Sequence, residues 1–176
     1  MDNRNEVYEK AKDAALTYLS YGMRTEKQMR TKLKEKGFDK EQDTCIIDDV
    51  IDFLKEYKFL DDEKYAVSYI EYAQAKGHGM IKIKSELKNR GIDSFVIEDA
   101  VYEYRKMREE DGDAFDTEKD RALNEALKVV SGQEVDDKLI AKVGRRLKSR
   151  GFDNESVYYA VGQIMKMKKS GEEDYE

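Results

Sequence analysis

Three segments of the chain carry cations at helical spacing. From Arg24 to Lys36 stand Arg24, Lys27, Arg30, Lys32, Lys34 and Lys36 against Glu26 and Glu35. From Lys76 to Arg90 stand Lys76, Lys82, Lys84, Lys88 and Arg90 against Glu86. From Lys138 to Arg150 stand Lys138, Lys142, Arg145, Arg146, Lys148 and Arg150 with no acid at all. Such rows make no bonds, but they hold phosphates or an acidic protein surface by charge and hydrogen bonding. Arg30, Lys32, Lys34, Lys82, Lys84, Lys88, Lys142, Arg145, Arg146 and Lys148 are therefore the expected partner- or nucleic-acid-binding set. A structural account competes for some of these positions. Lys36, Arg90 and Arg150 fall in a last helical turn, where a cation favours the helix dipole, and Lys34, Lys88 and Lys148 could be plain solvated residues. Arg145 and Arg146, adjacent and unneutralised, lean toward binding. The segment Glu41–Tyr57 is the reverse case, with Asp48, Asp49, Asp52 and Glu56 against Lys55.

Other chemistries find little to work with. His78 is the single histidine and Cys45 the single cysteine, which leaves no cluster of soft metal ligands. No glycine-rich nucleotide loop is present, and one histidine supports no nucleophilic triad unless His78 itself takes part. Asp61 and Asp62 could be read as metal carboxylates, but a hard cation needs more oxygens than this pair supplies, so a helix-cap role is expected. His78, between Gly77 and Gly79, reads as an exposed, inert loop residue, and Cys45 as a small, partly buried one. Tyr65, Tyr69, Tyr72, Tyr102 and Tyr104 could stack on bases, although their helical spacing assigns at least half of them to packing. No catalytic set and no cofactor are expected.

The basic segments must be held by a recurring element. Lys32–Asp39 reads KLKEKGFD, Glu86–Asp93 reads ELKNRGID and Arg146–Asp153 reads RLKSRGFD. A leucine, a lysine, a basic residue, a glycine, an apolar residue and an aspartate recur in all three. Leu33, Leu87 and Leu147 are separated by 54 and 60 residues, which points to a repeat architecture with room for three helices in each unit. Met29, Ile83 and Val143 lie four residues before the leucines, on the same helical face. Gly37, Gly91 and Gly151 stop the helix, because glycine enters the left-handed region without steric cost. Phe38, Ile92 and Phe152 supply the apolar contact that accompanies such a stop, and Asp39, Asp93 and Asp153 are placed at or near the next cap.

The rest of the chain fits an all-α reading. It has 176 residues, 41% charged and 39% hydrophobic, with no proline and a net charge of −6. The acidic total argues against a protein held on DNA by global charge. No apolar run approaches a membrane span, no signal peptide is visible, and the single cysteine suits a reducing cytoplasm. Helices are expected over 7–20, 25–36, 41–57, 62–76, 80–90, 94–108, 117–130, 136–150 and 154–168. Residues 1–6 should fray, 109–113 should form a flexible link, and the acidic 170–176 should be disordered. The expected architecture is three tandem three-helix repeats, 7–60, 61–108 and 117–168, forming an elongated, curved array.

In combination, FLDDEKYA (Phe59–Ala66), GHGMIKIKSELKNRGI (Gly77–Ile92) and the recurring LKxxGFD resemble the bacterial RecX regulatory proteins over about residues 10–168. The resemblance implies a cytoplasmic modulator that binds the RecA nucleoprotein filament along its groove and, as family members usually do, inhibits strand exchange and the linked ATP hydrolysis; a monomer is expected. It also implies that some members bind DNA directly, whereas the acidic total of this chain predicts at most weak binding of single- or double-stranded DNA alone. The alternative from the residues themselves is a helical-repeat DNA-binding protein that acts without RecA, presenting its basic helices to a groove.

Overall fold

The computed structural model describes residues 3–39, 45–110 and 117–173. Among these there are nine helices and no strand: α1 (Asn3–Leu19), α2 (Glu26–Glu35), α3 (Ile46–Glu56), α4 (Asp62–Ala75), α5 (Met80–Asn89), α6 (Ser94–Glu110), α7 (Glu118–Val130), α8 (Asp137–Ser149) and α9 (Asn154–Glu173).

The helix starts follow local chemistry. Thr25 and Gln28 form a reciprocal capping box at α2, as the sequence predicts, and Thr117 and Asp120 form a second at α7. Asp136 accepts the Leu139 N–H at 2.7 Å to open α8, and Asp61, rather than Asp62, accepts the Lys64 N–H at 2.9 Å to open α4. Asp93 and Asp153 cap α6 and α9 through the amides of Phe95 and Ser156. Asp39 departs from this pattern. It does not cap α3, which begins at Ile46 behind Cys45, and residues 40–44 lie outside the described residues.

The ends of α2, α5 and α8 share one geometry. Gly37, Gly91 and Gly151 have φ of 87°, 88° and 81°. The amides of Phe38, Ile92 and Phe152 each donate to the carbonyl of Leu33, Leu87 and Leu147 at 3.2 Å. The glycine amides donate to Lys34, Lys88 and Lys148 at 2.8–2.9 Å. Paired bonds of this kind satisfy the last carbonyls of a helix, and they need a left-handed residue at the glycine. The leucines are fully buried, as are Met29, Ile83 and Val143 to within 1%.

Other expected boundaries change as well. α1 begins at Asn3 within the stretch expected to fray, and α9 continues to Glu173 through residues expected to be disordered. The link expected at 109–113 is helical through Glu110, and Gly112 lies outside the described residues.

The chain divides into two compact units, one formed by the residues up to Ser68 with Leu87–Val101, the other by Tyr69–Glu86 with the residues from Tyr102 onward. In the first, Met29, Leu33, Ile46, Val50, Ile51 and Leu54 join Val7, Ala11 and Ala15 in one core. The Asp62 carboxylate leaves its own helix and accepts the Glu26 N–H at the start of α2, 2.9 Å away. Burial pushes the Asp62 carboxyl above its usual value. Thr25 Oγ1 donates to the Arg90 carbonyl at 2.7 Å, which joins the start of α2 to the end of α5. In the second unit, Ala122, Ala126, Val143, Leu147, Phe152, Val157, Ala160 and Ile164 form the core. The same two junction devices recur there. The Glu118 carboxylate accepts the Met80 N–H at the start of α5 at 3.0 Å, and the Gly79 amide donates to the Arg150 carbonyl at 2.8 Å.

Candidate anion-binding surface

The three basic segments have different fates once folded. On α2 the charge is spent internally. Arg30 Nε donates to Glu26 Oε1 at 2.7 Å and Nη1 to Asp48 Oδ1 at 2.6 Å, while Lys55 Nζ meets Glu26 Oε2 at 2.5 Å. Burial pushes the Glu26 carboxyl up, but the hydrogen bonds and charges of Lys55 and Arg30 outweigh it and hold the group below its usual value. Arg4 pairs with Asp49 at 2.9 Å, so the acidic α3 answers cations of α1 and α2. Lys32 lies 3.4 Å from Glu35 and over the Tyr18 ring. Lys34 is exposed, at the edge of a hollow of about 900 Å³ that carries as many carboxylates as cations. Such a surface is close to neutral and gives polyanions little reason to settle.

On α5, Lys82 is half-buried, its Cβ and backbone packed where a Gly151 side chain would lie. Lys84 is half-buried and already engaged, and Lys88 is exposed. On α8, Lys142, Arg145, Arg146 and Lys148 are all exposed. Lys142 and Arg146, one turn apart on one face, line a cleft of about 470 Å³ together with Lys76, Lys128, Arg150 and Glu125. The structure thus brings two of the expected residues together with three further cations around one carboxylate. Arg145 and Lys148 do not line the cleft.

Glu125 was not singled out in the sequence. Its side chain is only 9% exposed, lies 2.6 Å from Lys128 Nζ and 3.5 Å from Arg150 Nε, and fills the space that a Cβ on Gly77 would need. The available signal was its register: position 125 follows Ala122 by three and precedes Ala126, on the buried face of α7. Arg150 also does more than complement a helix dipole. Its Nη1 donates to the carbonyls of Lys76 at 2.6 Å and Gly77 at 3.1 Å, clamping the chain just past α4. Arg90 Nη1 donates to the buried Tyr65 hydroxyl at 2.8 Å. Lys36 remains exposed.

Two further expectations are corrected. His78 is not an exposed loop residue. Its side chain is 24% exposed, with Nδ1 lying 3.7 Å from Glu86 Oε2, the oxygen that accepts the Tyr69 hydroxyl at 2.6 Å. Cys45 is exposed rather than partly buried. Of the tyrosines, Tyr65 packs inside, Tyr69 is tied to Glu86, and burial pushes the half-buried Tyr104 phenol up. Tyr72 and Tyr102 are open to solvent at 59% and 67%. Among the described residues no group of three or more His, Cys, Asp or Glu could hold a metal ion. Among the same residues, no helix is long and apolar enough to cross a membrane.

Comparison with known proteins places this geometry. Residues 11–54 match the family description "RecX, first three-helix domain", and residues 61–101 match "RecX, second three-helix domain". The regulatory protein RecX of Clostridium tetani is 33% identical over 163 residues, 90% of this chain and 68% of that protein. The regulatory protein RecX of Clostridium acetobutylicum is 31% identical over 166 residues, 94% of this chain and 71% of that protein. The crystal structure of RecX from Lactobacillus salivarius superposes with a TM-score of 0.71 at 24% identity, over 91% of this chain and 97% of that one. A second crystal structure, of regulatory protein RecX, gives a TM-score of 0.68 at 26% identity, over 91% of this chain and 73% of that one.

Proposed function

The chain belongs to the RecX family of regulatory proteins, and from that premise we propose that it docks on the RecA–DNA filament and suppresses the recombinase and its linked ATP hydrolysis. The observation that carries this reading is 33% identity over 90% of the chain to a regulatory protein RecX. Family membership supports the partner, and the exposed cations support the means. We read the chain as three three-helix units, 7–60, 61–108 and 117–168. The like turns at Gly37, Gly91 and Gly151 support that reading. The exposed α8 cations, with Lys142 and Arg146 foremost, are the strongest docking candidates, because the α2 cations are largely spent on Glu26 and Asp48. The relatives are named regulatory proteins, which supports a binding protein rather than an enzyme, and we read it as monomeric and cytoplasmic.

Co-sedimentation tests the docking. RecA filaments are assembled on single-stranded DNA with a slowly hydrolysed ATP analogue, and the same DNA without RecA serves as reference. At a net charge of −6 the chain is expected to pellet with filaments at concentrations that leave it unbound to bare DNA. Equal partition onto bare DNA and filament would contradict docking and favour a DNA-binding protein that acts without RecA.

A further inference from the structure

We propose that copies of this chain associate head to tail, the start of α8 in one copy seating on the end of α2 in the next.

The fold uses one junction twice and leaves its two halves unmatched. At the end of α5, the Arg90 carbonyl accepts Thr25 Oγ1 at 2.7 Å, and the Lys27 side chain lies where a Gly91 Cβ would stand. At the end of α8, the Arg150 carbonyl accepts the Gly79 amide at 2.8 Å and the Gly151 carbonyl accepts the Ile81 amide at 3.1 Å, with Lys82 over Gly151. In both, the start of an earlier basic helix seats on the glycine end of a later one. The end of α2 has the same backbone, with Gly37 at a φ of 87°. Among the described residues, however, no donor reaches the Lys36 carbonyl, and a Gly37 Cβ would have nothing within 4 Å.

The other half of the junction is unmatched at α8. The starts of α2 and α5 are covered, with Thr25, Gly79 and Met80 all buried. At the start of α8, Asp136, Asp137 and Lys138 are all exposed. This helix begins ten residues before Leu147, against seven before Leu33 and Leu87, so it extends about one further turn. The first amides of a helix have no acceptor within it, and the open carbonyl end of α2 offers what they need.

Charge complementarity makes a second copy the occupant. Lys34 and Lys36 are exposed at the end of α2, while Glu134, Asp136 and Asp137 are exposed around the start of α8. Each end carries one charge of the other sign, Asp39 and Lys138. The helix dipoles also meet favourably, the carbonyl end of α2 against the amide end of α8. A contact between two different surfaces leaves one of each unused, so further copies can add. Two short helix ends form a contact too small for the roughly 1,200 Å² that stable interfaces bury, so dilute chains remain monomeric. The inference does not depend on the filament reading, and either can fail without the other.

The test is chemical cross-linking of the full chain without recombinase. Two single-cysteine variants are made on Cys45→Ser, one with Asp39→Cys beside the end of α2, the other with Lys138→Cys on the first turn of α8. Each removes only the charge that opposes the pairing. A short bismaleimide added to the concentrated mixture is expected to give several-fold more dimer than either variant alone. The same excess is expected over Asp39→Cys mixed with Lys64→Cys, at an exposed site on α4. The yield should fall as potassium chloride is added. Gly37→Asn should abolish the adduct and keep the fold, because asparagine tolerates the left-handed region and its side chain enters open space. K34E/K36E in the α2 partner should abolish it too, and E134K/D137K in the α8 partner should then restore it. Circular dichroism reports folding, and the charge pair decides if Gly37→Asn does not fold. A yield no higher than that of the Lys64→Cys control would overturn the proposal. So would an adduct that survives K34E/K36E, or a loss that E134K/D137K does not reverse. An adduct from Asp39→Cys alone as strong as from the mixture would replace head-to-tail seating by a symmetric pair. RecA filaments that abolish the adduct would reassign the end of α2 to the recombinase.

Discussion

Alanine at Gly151 is expected to destabilise the chain by about 2–5 kcal/mol, against about 1–2 kcal/mol at Gly37. Both glycines have the same backbone, with φ of 81° and 87°, and end their helices with the same hydrogen bonds. The left-handed conformation alone therefore costs an L-residue the same at each. The surroundings differ. A Cβ on Gly37 meets nothing within 4 Å. A Cβ on Gly151 would overlap Lys82 Cβ and the Lys82 backbone, which cannot rotate away. Gly91 lies between the two, because its Cβ would strike Lys27 Cβ together with the outer carbons Cγ and Cδ, which can swing aside, whereas at Gly151 backbone atoms are struck as well. Urea midpoints are therefore expected to fall in the order Gly37→Ala, Gly91→Ala, Gly151→Ala, the last being the least stable. Equal midpoints for Gly37→Ala and Gly151→Ala would show that the end of α8 does not press on the start of α5.

Leu33→Ala, Leu87→Ala and Leu147→Ala are each expected to cost roughly 2–5 kcal/mol. All three leucines are fully buried, each four residues after another buried apolar residue and four before a left-handed glycine. Removing the branched end leaves a cavity bounded by a helix whose last turn is pinned by the leucine's own carbonyl, so the site has little freedom to collapse. A domain of this size loses roughly 2–4 °C in Tm per kcal/mol, so each melt should drop by at least ~4 °C. Ile81→Ala, at a side 58% exposed on α5, should stay close to the parent. A parental melt for any of the three leucine variants would remove that position from the shared pattern.

What the sequence made legible was what depends on short-range geometry. The glycine stops, the buried leucines, the Thr25 capping box and the nine helices follow from spacing that operates within one or two turns. Long-range pairing was not legible. Arg30 reads as a surface cation until Asp48, on another helix, is brought within 2.6 Å of it. Arg90 and Arg150 read as last-turn charges, although one reaches the Tyr65 hydroxyl and the other the carbonyls after α4. Glu125 was not legible because a carboxylate is normally placed in water, while here Lys128 on its own helix and Arg150 at the end of α8 hold it inside. The separation of the cleft pair Lys142 and Arg146 from Arg145 and Lys148 likewise needed the fold, since all four are solvent-exposed on one helix.

The central claim is that this chain regulates RecA, and DNA-dependent ATP hydrolysis by RecA tests it most directly. RecA is held at saturating ATP on single-stranded DNA, and the full chain is titrated in, with DNA in excess so that depletion of free strand plays no part. The account predicts that hydrolysis falls progressively as the chain is added, and that K142E/R146E needs a higher concentration for the same effect. Hydrolysis unchanged at every concentration, by a chain shown to be folded, would contradict it.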